Sequence, residues 1–168
     1  MPGNQTDSGI LRDRATARTD GRAFAVFLIG MRVNRLWAFG RWVRVLMAMP
    51  PMLRELYRHP ELGFLSAEFL LNWRGVTMLQ YWRSAEDLTA YSNARDRAHF
   101  PAWQEFYRRV GKDGTVGIWH ETYCIEPGAA ESIYVNMPPW GLSRAFGRET
   151  VAAAKATARQ RFSAGKGI

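Results

Sequence analysis

The spacing of apolar residues in this chain switches repeatedly between a strand-like and a helix-like period, which predicts a sheet packed against helices. The first switch is the clearest. Ala23 to Arg32 is a continuous apolar run of strand length, rich in Phe and Ile, and it predicts a central strand. From Arg35 to Ala48 the apolar residues recur at helical spacing, and Pro50-Pro51 then interrupts or restarts the helix.

The rest of the chain repeats this alternation. Two strands are expected at Leu62 to Trp73 and Val76 to Arg83, and Arg74-Gly75 between them resembles a short hairpin turn. Ser84 is expected to cap the next helix, with Asp87 three residues on. The remaining expected elements are the end of that helix near Asn93, a helix from near Asp96 through Val110, a strand from Thr115 to Ile125, a strand from Ala130 to Met137 and a helix from about Arg148 to Phe162.

The resulting order, β, α, β, β, α, β, β, α, predicts an α+β fold. It is the ferredoxin-like split βαβ pattern with an extra C-terminal strand and helix. The antiparallel sheet of that fold carries helices on one face only, so the other face must be covered by something else. A second copy of the same sheet covers it most economically, and we therefore expect a homodimer that forms a dimeric α/β barrel.

The length and composition fit one such domain. With 168 residues, of which 47% are hydrophobic, the chain is long enough for one sizeable core. We expect a disordered tail over residues 1–21, the ferredoxin-like domain over 22–146 and a basic helix over 147–168. The first twenty residues are polar, without the apolar core of a secretory signal. The single cysteine, Cys124, is expected to be a buried strand thiol and suits a cytoplasmic protein.

The positive charge is concentrated in two segments. The net charge is +8, and residues 32–58 and 141–168 each contribute six basic residues against one acidic residue. No helix-turn-helix, zinc-finger, RNP or P-loop pattern accompanies them, so we expect no nucleic-acid partner. One interpretation of the two basic segments is a solvated basic surface. Leu36 to Pro51 is too short and too charged to span a bilayer, but a weak contact of the basic helices with a membrane surface remains an alternative.

The strand Gly117 to Tyr123 carries a histidine and a carboxylate in adjacent positions. Successive strand residues point to opposite faces, so His120 and Glu121 are alternatives as catalytic groups and do not form a pair. His120 shares its face with Ile118, Thr122 and Cys124, whereas Glu121 shares its face with Trp119 and Tyr123.

For each of the other candidate site residues there is also a structural explanation. His59 lies at a helix end, where it needs no further role. His99 opens a helix and is a candidate for acid–base work or for bonding to nearby backbone. Asn136 is a candidate for orienting a carbonyl or a dioxygen-derived group, or for bonding its own turn. Five aromatic residues are candidates for binding a flat hydrophobic substrate, although core packing also accounts for such residues: Tyr81, Trp103, Tyr107, Trp119 and Tyr123.

Motifs between residues 22 and 146 resemble those of one family. They are Gly30-Met31-Arg32-Val33-Asn34, Tyr81-Trp82-Arg83-Ser84 with Leu88 and Tyr91, His99 with Ala102-Trp103, Val116 to Tyr123, and Glu131 through Tyr134 to Pro139 and on to Gly141-Leu142. The family is the monooxygenase-like family that includes a fumagillin-pathway enzyme, within the dimeric α/β barrel, antibiotic-biosynthesis-monooxygenase superfamily. The resemblance implies cofactor-independent oxygenation in some branches and haem chemistry, including aldoxime dehydration, in others.

We therefore expect a monooxygenase-like enzyme for a small hydrophobic substrate, which binds in a pocket between sheet and helices. No zinc, non-haem iron or nucleotide motif is present, so neither a metal nor a tightly held organic cofactor is expected. The first alternative is a haem protein, either aldoxime-dehydratase-like or a haem carrier, with His99 or His120 on the iron, as the resemblance suggests. The second is a non-catalytic protein that binds a ligand or a membrane surface.

Overall fold

The central part of the chain forms a four-stranded sheet in the computed structural model. The structure describes residues 9–10, 12–94, 104, 106, 108, 113–152 and 157–165. The chain divides into two compact units, one from Ala25 to Tyr123 and one that joins Met1–Phe24 with Cys124–Ile168. The elements in chain order are β1 (Ala15–Ala17), β2 (Phe24–Val33), α1 (Phe39–Met47), α2 (Met49–Arg58), a 3-10 turn (Pro60–Leu62), β3 (Phe64–Asn72), β4 (Gly75–Trp82), α3 (Ala85–Asn93), β5 (Val116–Ile125), α4 (Leu142–Phe146), β6 (Arg148–Thr150) and α5 (Ala158–Gly165).

The order of strands across the sheet is β3, β4, β2, β5. β4 pairs antiparallel with both β2 and β3, and the first and last strands of this unit, β2 and β5, are neighbours. With α1 and α2 between β2 and β3, and α3 between β4 and β5, this is the ferredoxin-like arrangement. The predicted α+β fold class is confirmed.

The helices cover one face of the sheet. Alternate residues of β2, from Ala25 to Val33, are buried or half-buried on that face, as the apolar run predicts. One core cluster combines buried residues of β2, β3 and β4 with Leu56 of α2 and with Leu88 and Tyr91 of α3. A second cluster combines Met31, Val33, Val76 and Val116 with Trp42, Val45 and Leu46 of α1.

Trp82 is the centre of the first cluster. Its side chain is 1% exposed, and its ring lies 5.5 Å from that of Phe64 and 5.7 Å from that of Tyr91. The indole Nε1 donates a hydrogen bond of 2.9 Å to Oε1 of the buried Gln80. A large aromatic side chain with its one polar atom satisfied stabilises a core through both area and geometry.

Two local features follow the sequence closely. The hairpin between β3 and β4 turns at Trp73-Arg74, one residue before the predicted Arg74-Gly75, so that Gly75 is the first residue of β4 and pairs with Asn72. A Cβ atom at Gly75 would collide with the carbonyl oxygen of Met31, which explains the glycine. Ser84 Oγ accepts a hydrogen bond of 3.1 Å from the Asp87 amide, so the predicted cap of α3 is confirmed.

The unit built from both chain ends differs from the sequence expectation. Residues 15–17 lie in the expected disordered tail, yet β1 pairs antiparallel with β6, and Ala15 also bridges Tyr134. Ala15 and Thr16 are small and buried, so their backbone groups need partners, which strand pairing supplies.

The C-terminal elements differ as well. Arg148–Thr150 is a strand, and the described helix begins only at Ala158. The strand expected from Ala130 to Met137 is reduced to isolated bridges, such as that between Tyr134 and Ala15. The helix expected from Asp96 to Val110 lies mostly outside the described residues.

Candidate functional site

The two faces of β5 are identified by their neighbours. Val116 belongs to the helix-side core, whereas the Trp119 ring lies directly against Gly30 of β2, which alternates with the core residues Met31 and Val33. Trp119 is therefore on the face opposite α1 to α3. We call this face the back face, and its residues are Val26, Leu28 and Gly30 of β2, Ser66, Glu68 and Leu70 of β3, Thr77, Leu79 and Tyr81 of β4, and Trp119, Glu121 and Tyr123 of β5.

His120 and Glu121 are separated by the sheet, as strand geometry requires. Glu121 lies on the back face between Trp119 and Tyr123. His120 lies on the helix face, where its ring is 5.7 Å from that of Phe27. The His120 side chain is exposed there. Of the two candidates, Glu121 is the one that shares a face with aromatic side chains.

Glu121 and Tyr123 form a hydrogen-bonded pair. The Tyr123 hydroxyl donates to Glu121 Oε2 over 2.6 Å, because residues two apart in a strand lie side by side on one face. This hydrogen bond, followed by the negative charge of Glu121, raises the pKa of the Tyr123 hydroxyl. The phenol therefore stays protonated at neutral pH and remains a donor. The second carboxylate oxygen of Glu121 is positioned by this contact and can accept a proton.

The position of the Trp119 ring depends on Gly30. A Cβ atom at Gly30 would lie 2.6 Å from Cε2 and Nε1 of the indole, which is too close for both groups to stay in place. The absence of a side chain at Gly30 thus creates the surface on which the indole lies.

We expect Gly30→Ala to displace the indole and to lower the free energy of unfolding by about 1–3 kcal/mol, the usual cost of overpacking. Gly40→Ala in α1 is the matched control, since a Cβ atom there meets no other atom within 4 Å. That control is expected to gain about 0.5–1 kcal/mol from helix propensity. Urea denaturation measures both variants, and equal stabilities would contradict the contact between Gly30 and Trp119.

Tyr81 and Glu68 are buried on the same face. Tyr81, a predicted substrate-binding residue, is buried there, and so is Glu68 of β3, whose side chain is 6% exposed. Ser66, two residues before Glu68, pairs with Tyr81, so the carboxylate and the phenol ring occupy neighbouring positions on adjacent strands. Glu68 is not among the site residues predicted from the sequence. An acid within the apolar strand FLSAEFLLN was the available signal.

The remaining candidates lie elsewhere. His59 Nδ1 is 2.7 Å from Glu61 Oε1 at the surface, as its position after a helix suggested. Asn136 belongs to the other unit and has a left-handed backbone with φ of 53°, which favours its turn-forming role. Cys124 is exposed, contrary to expectation, because both faces of β5 are exposed beyond its first residues. His99, Trp103 and Tyr107 lie outside the described residues.

The haem alternative is only partly accessible here, because one of its two candidate ligands, His99, lies outside the described residues. A haem needs an axial ligand that faces a flat apolar pocket. His120 faces away from Trp119 and Tyr123, so one haem cannot contact all three, and His59 is held by Glu61. Within the described ranges, no group of three or more His, Cys, Asp or Glu side chains is arranged to hold a metal ion.

The unit formed by the chain ends contains a separate polar cleft of about 200 Å3. Arg161 in this cleft is bonded to Glu131. Charged and hydroxyl side chains dominate its lining, so the cleft does not match the flat hydrophobic ligand that the sequence predicts. None of the helices that the structure describes is long and apolar enough to cross a membrane.

Comparison with known proteins supports the motif resemblance. Monooxygenase af470 of Aspergillus fumigatus is 29% identical over an aligned length of 163 residues. The match covers 84% of this chain and 57% of that protein. The chain therefore spans little more than half the length of this curated relative.

Two solved structures share the fold. An aldoxime dehydratase (OxdRE) in complex with butyraldoxime has a TM-score of 0.63 at 18% identity, over 76% of this chain and 38% of that one. Another aldoxime dehydratase has a TM-score of 0.59 at 19% identity, over 79% of this chain and 42% of that one. At such identities the likeness concerns the fold alone.

A family model covers the whole of the ferredoxin-like unit. The model described as monooxygenase af470-like matches residues 24–142, from the start of β2 through the first residue of α4. The matched range includes all of the back face and the candidate residues from Tyr81 to Asn136. This confirms the resemblance noted in the sequence motifs: the chain belongs to the monooxygenase af470-like family.

Proposed function

We propose that this protein is a cytoplasmic, homodimeric monooxygenase that oxidises a small hydrophobic substrate on the back face of its sheet, without a tightly held organic cofactor. The observation that carries the proposal is the hydrogen-bonded pair of Glu121 and Tyr123 beside the Trp119 indole. The sequence favours a pocket between sheet and helices. We propose the back face for the pocket instead, because Tyr81, Trp119 and Tyr123 all lie there.

The side chains have distinct roles in this proposal. Trp119 and Tyr123 are partly exposed aromatic groups, on which a flat apolar substrate stacks. The Glu121 carboxylate accepts a proton from an acidic C–H group of the substrate. Tyr123 remains protonated and orients the carboxylate through its donated hydrogen bond. A proton acceptor and a stacking surface on one face supply what deprotonation of a hydrophobic carbon acid requires.

The electron balance defines the substrate class. The sequence carries no nucleotide-binding loop, so the proposed substrate supplies all the electrons that dioxygen takes up. The balanced reaction converts an activated methylene group and one dioxygen molecule into a ketone and one water molecule. Deprotonation at carbon gives a carbanion that transfers electrons to dioxygen. One oxygen atom bonds to carbon, and the other leaves as water with both former C–H protons, one of them returned by Glu121.

The homodimer is part of the proposal because the back face is incompletely covered in one chain. Val26, Leu28 and Leu79 are half-buried, while Trp119 and Tyr123 are exposed. A second copy of this face would remove the apolar surface from water and would exclude solvent from the carbanion.

Anthrone, a planar carbon acid with one activated methylene group, is a suitable probe. We expect the purified protein to consume one dioxygen molecule per anthrone and to form anthraquinone, measured with an oxygen electrode and by absorbance. With labelled dioxygen, one labelled atom should enter the quinone and one should enter water. Light scattering should give twice the mass of the chain. Failure to accelerate oxygen uptake with anthrone or a related panel of planar carbon acids would refute the proposed chemistry.

A further inference from the structure

One end of the sheet brings two connections together. The loop from Asn34 to Ala38 joins β2 to α1, and the turn Trp73-Arg74 joins β3 to β4. Arg74 connects them through two hydrogen bonds. Its Nε donates to the Val33 carbonyl over 3.1 Å, and its Nη2 donates to the Asn34 carbonyl over 2.7 Å. The residues that follow Asn34 and the residue that precedes Arg74 therefore project from the same end of the sheet.

Both connections expose tryptophan. Trp37 is 83% exposed and Trp73 is 95% exposed, although tryptophan is normally among the most buried side chains. Three further large apolar residues are exposed beside them in the sequence. We call this group the tryptophan edge, and it comprises Leu36, Trp37, Phe39, Leu71 and Trp73.

The loop is held in the conformation that exposes these residues. Trp42 of α1 donates a hydrogen bond of 3.1 Å from its Nε1 to the Leu36 carbonyl, and its ring contacts that of Phe39 edge-on at 4.8 Å. Trp42 itself packs on the helix-side core cluster. Exposure of the tryptophan edge is thus a feature of the fold, and an apolar patch of this kind marks an interaction surface.

The tryptophan edge is surrounded by positive charge. Residues 32–47 contain four arginines and no acidic residue. These arginines are exposed, and Asp113 at the same end of the sheet is bonded to one of them, Arg41. A second copy of the chain placed against this surface would bring like charges together, whereas an anionic surface would match it.

We propose that the tryptophan edge docks on an anionic lipid bilayer. Tryptophan rings favour the boundary between lipid headgroups and acyl chains, and flanking arginines favour anionic headgroups. Trp37 and Trp73 insert their rings at the boundary, and Arg35 and Arg44 contact the lipid phosphates. The protein then lies on the membrane through one end of its sheet and does not span it.

Flotation of the full chain with vesicles tests this docking. We expect binding to vesicles of phosphatidylcholine with about 30% phosphatidylserine, and at least about tenfold weaker binding to phosphatidylcholine alone. The variant Trp37→Ser/Trp73→Ser should bind the anionic vesicles at least about tenfold more weakly than the wild type. Phe162→Ser, which removes an exposed aromatic residue of α5, is the matched control and should bind as the wild type does.

Two measurements show whether weaker vesicle binding by the double variant results from loss of the docking surface or from loss of the fold. Circular dichroism and urea denaturation should be unchanged in the double variant, because both side chains are exposed. Brominated lipids should quench the wild-type fluorescence and should quench each single variant less. The proposal is wrong if vesicles bind the double variant as tightly as the wild type, or do not bind the wild type at all. It is also wrong if the double variant changes only the oligomeric state, which would make the edge an interface between copies.

Discussion

Glu121→Gln is expected to lower kcat for oxygenation of anthrone by about 10²–10⁴-fold, the usual contribution of a positioned general base. The amide keeps the size of the side chain and can still accept the Tyr123 hydrogen bond, but it cannot take up the substrate proton. Because stacking on Trp119 and Tyr123 is retained, KM should change little. Steady-state oxygen uptake over a range of anthrone concentrations separates the two constants.

Two further variants isolate the role of Glu121. Glu126→Gln changes an exposed carboxylate just after β5 and should leave kcat within about twofold of the wild type. Tyr123→Phe keeps the aromatic ring and removes only the hydroxyl donor, so we expect a smaller loss in kcat of about tenfold. If Glu121→Gln retained wild-type kcat, Glu121 would not be the base, and the buried Glu68 would be the next carboxylate to test on the same face.

The fold could be predicted from the sequence because its signals are local. The apolar run from Ala23 to Arg32, the Ser84 cap and the order of strands and helices each depend on neighbouring residues, and β2, α3 and β5 lie close to their expected positions. The pairing of β1 with β6 could not be predicted in this way. It joins residues 15–17 to residues 148–150, and such short segments acquire strand geometry only from a distant partner.

The candidate site could be predicted only in part. Strand alternation separates His120 from Glu121 without any structure, but it cannot say which of them faces the helices. That depends on the contacts of Val116 with the core and of Trp119 with Gly30, which join different strands. Glu68 was missed for the same reason, since its place beside Tyr81 follows from the register of β3 with β4.

The largest effect on stability is expected at Trp82. Trp82→Ala should lower the free energy of unfolding by about 3–5 kcal/mol, because it removes a fully buried indole and leaves a cavity next to Phe64 and Tyr91. It also removes the donor that satisfies the buried Gln80 Oε1. Marginal stability of about 5–15 kcal/mol is typical of a domain, so this variant should be near its unfolding threshold. Urea denaturation followed by circular dichroism gives the difference.

Three comparisons assign this loss to packing and to the hydrogen bond. Trp37→Ala removes an equally large but exposed indole and should change stability by less than about 0.5 kcal/mol. Trp82→Phe keeps an aromatic ring but leaves Gln80 Oε1 without its donor, which should add about 1–3 kcal/mol to the loss of packing. Adding Gln80→Leu to Trp82→Phe removes the buried acceptor and should recover part of the stability. Equal losses of stability for Trp37→Ala and Trp82→Ala would show that Trp82 is not the centre of the core. If the double variant recovered no stability, the hydrogen bond between Trp82 and Gln80 would not contribute to the loss.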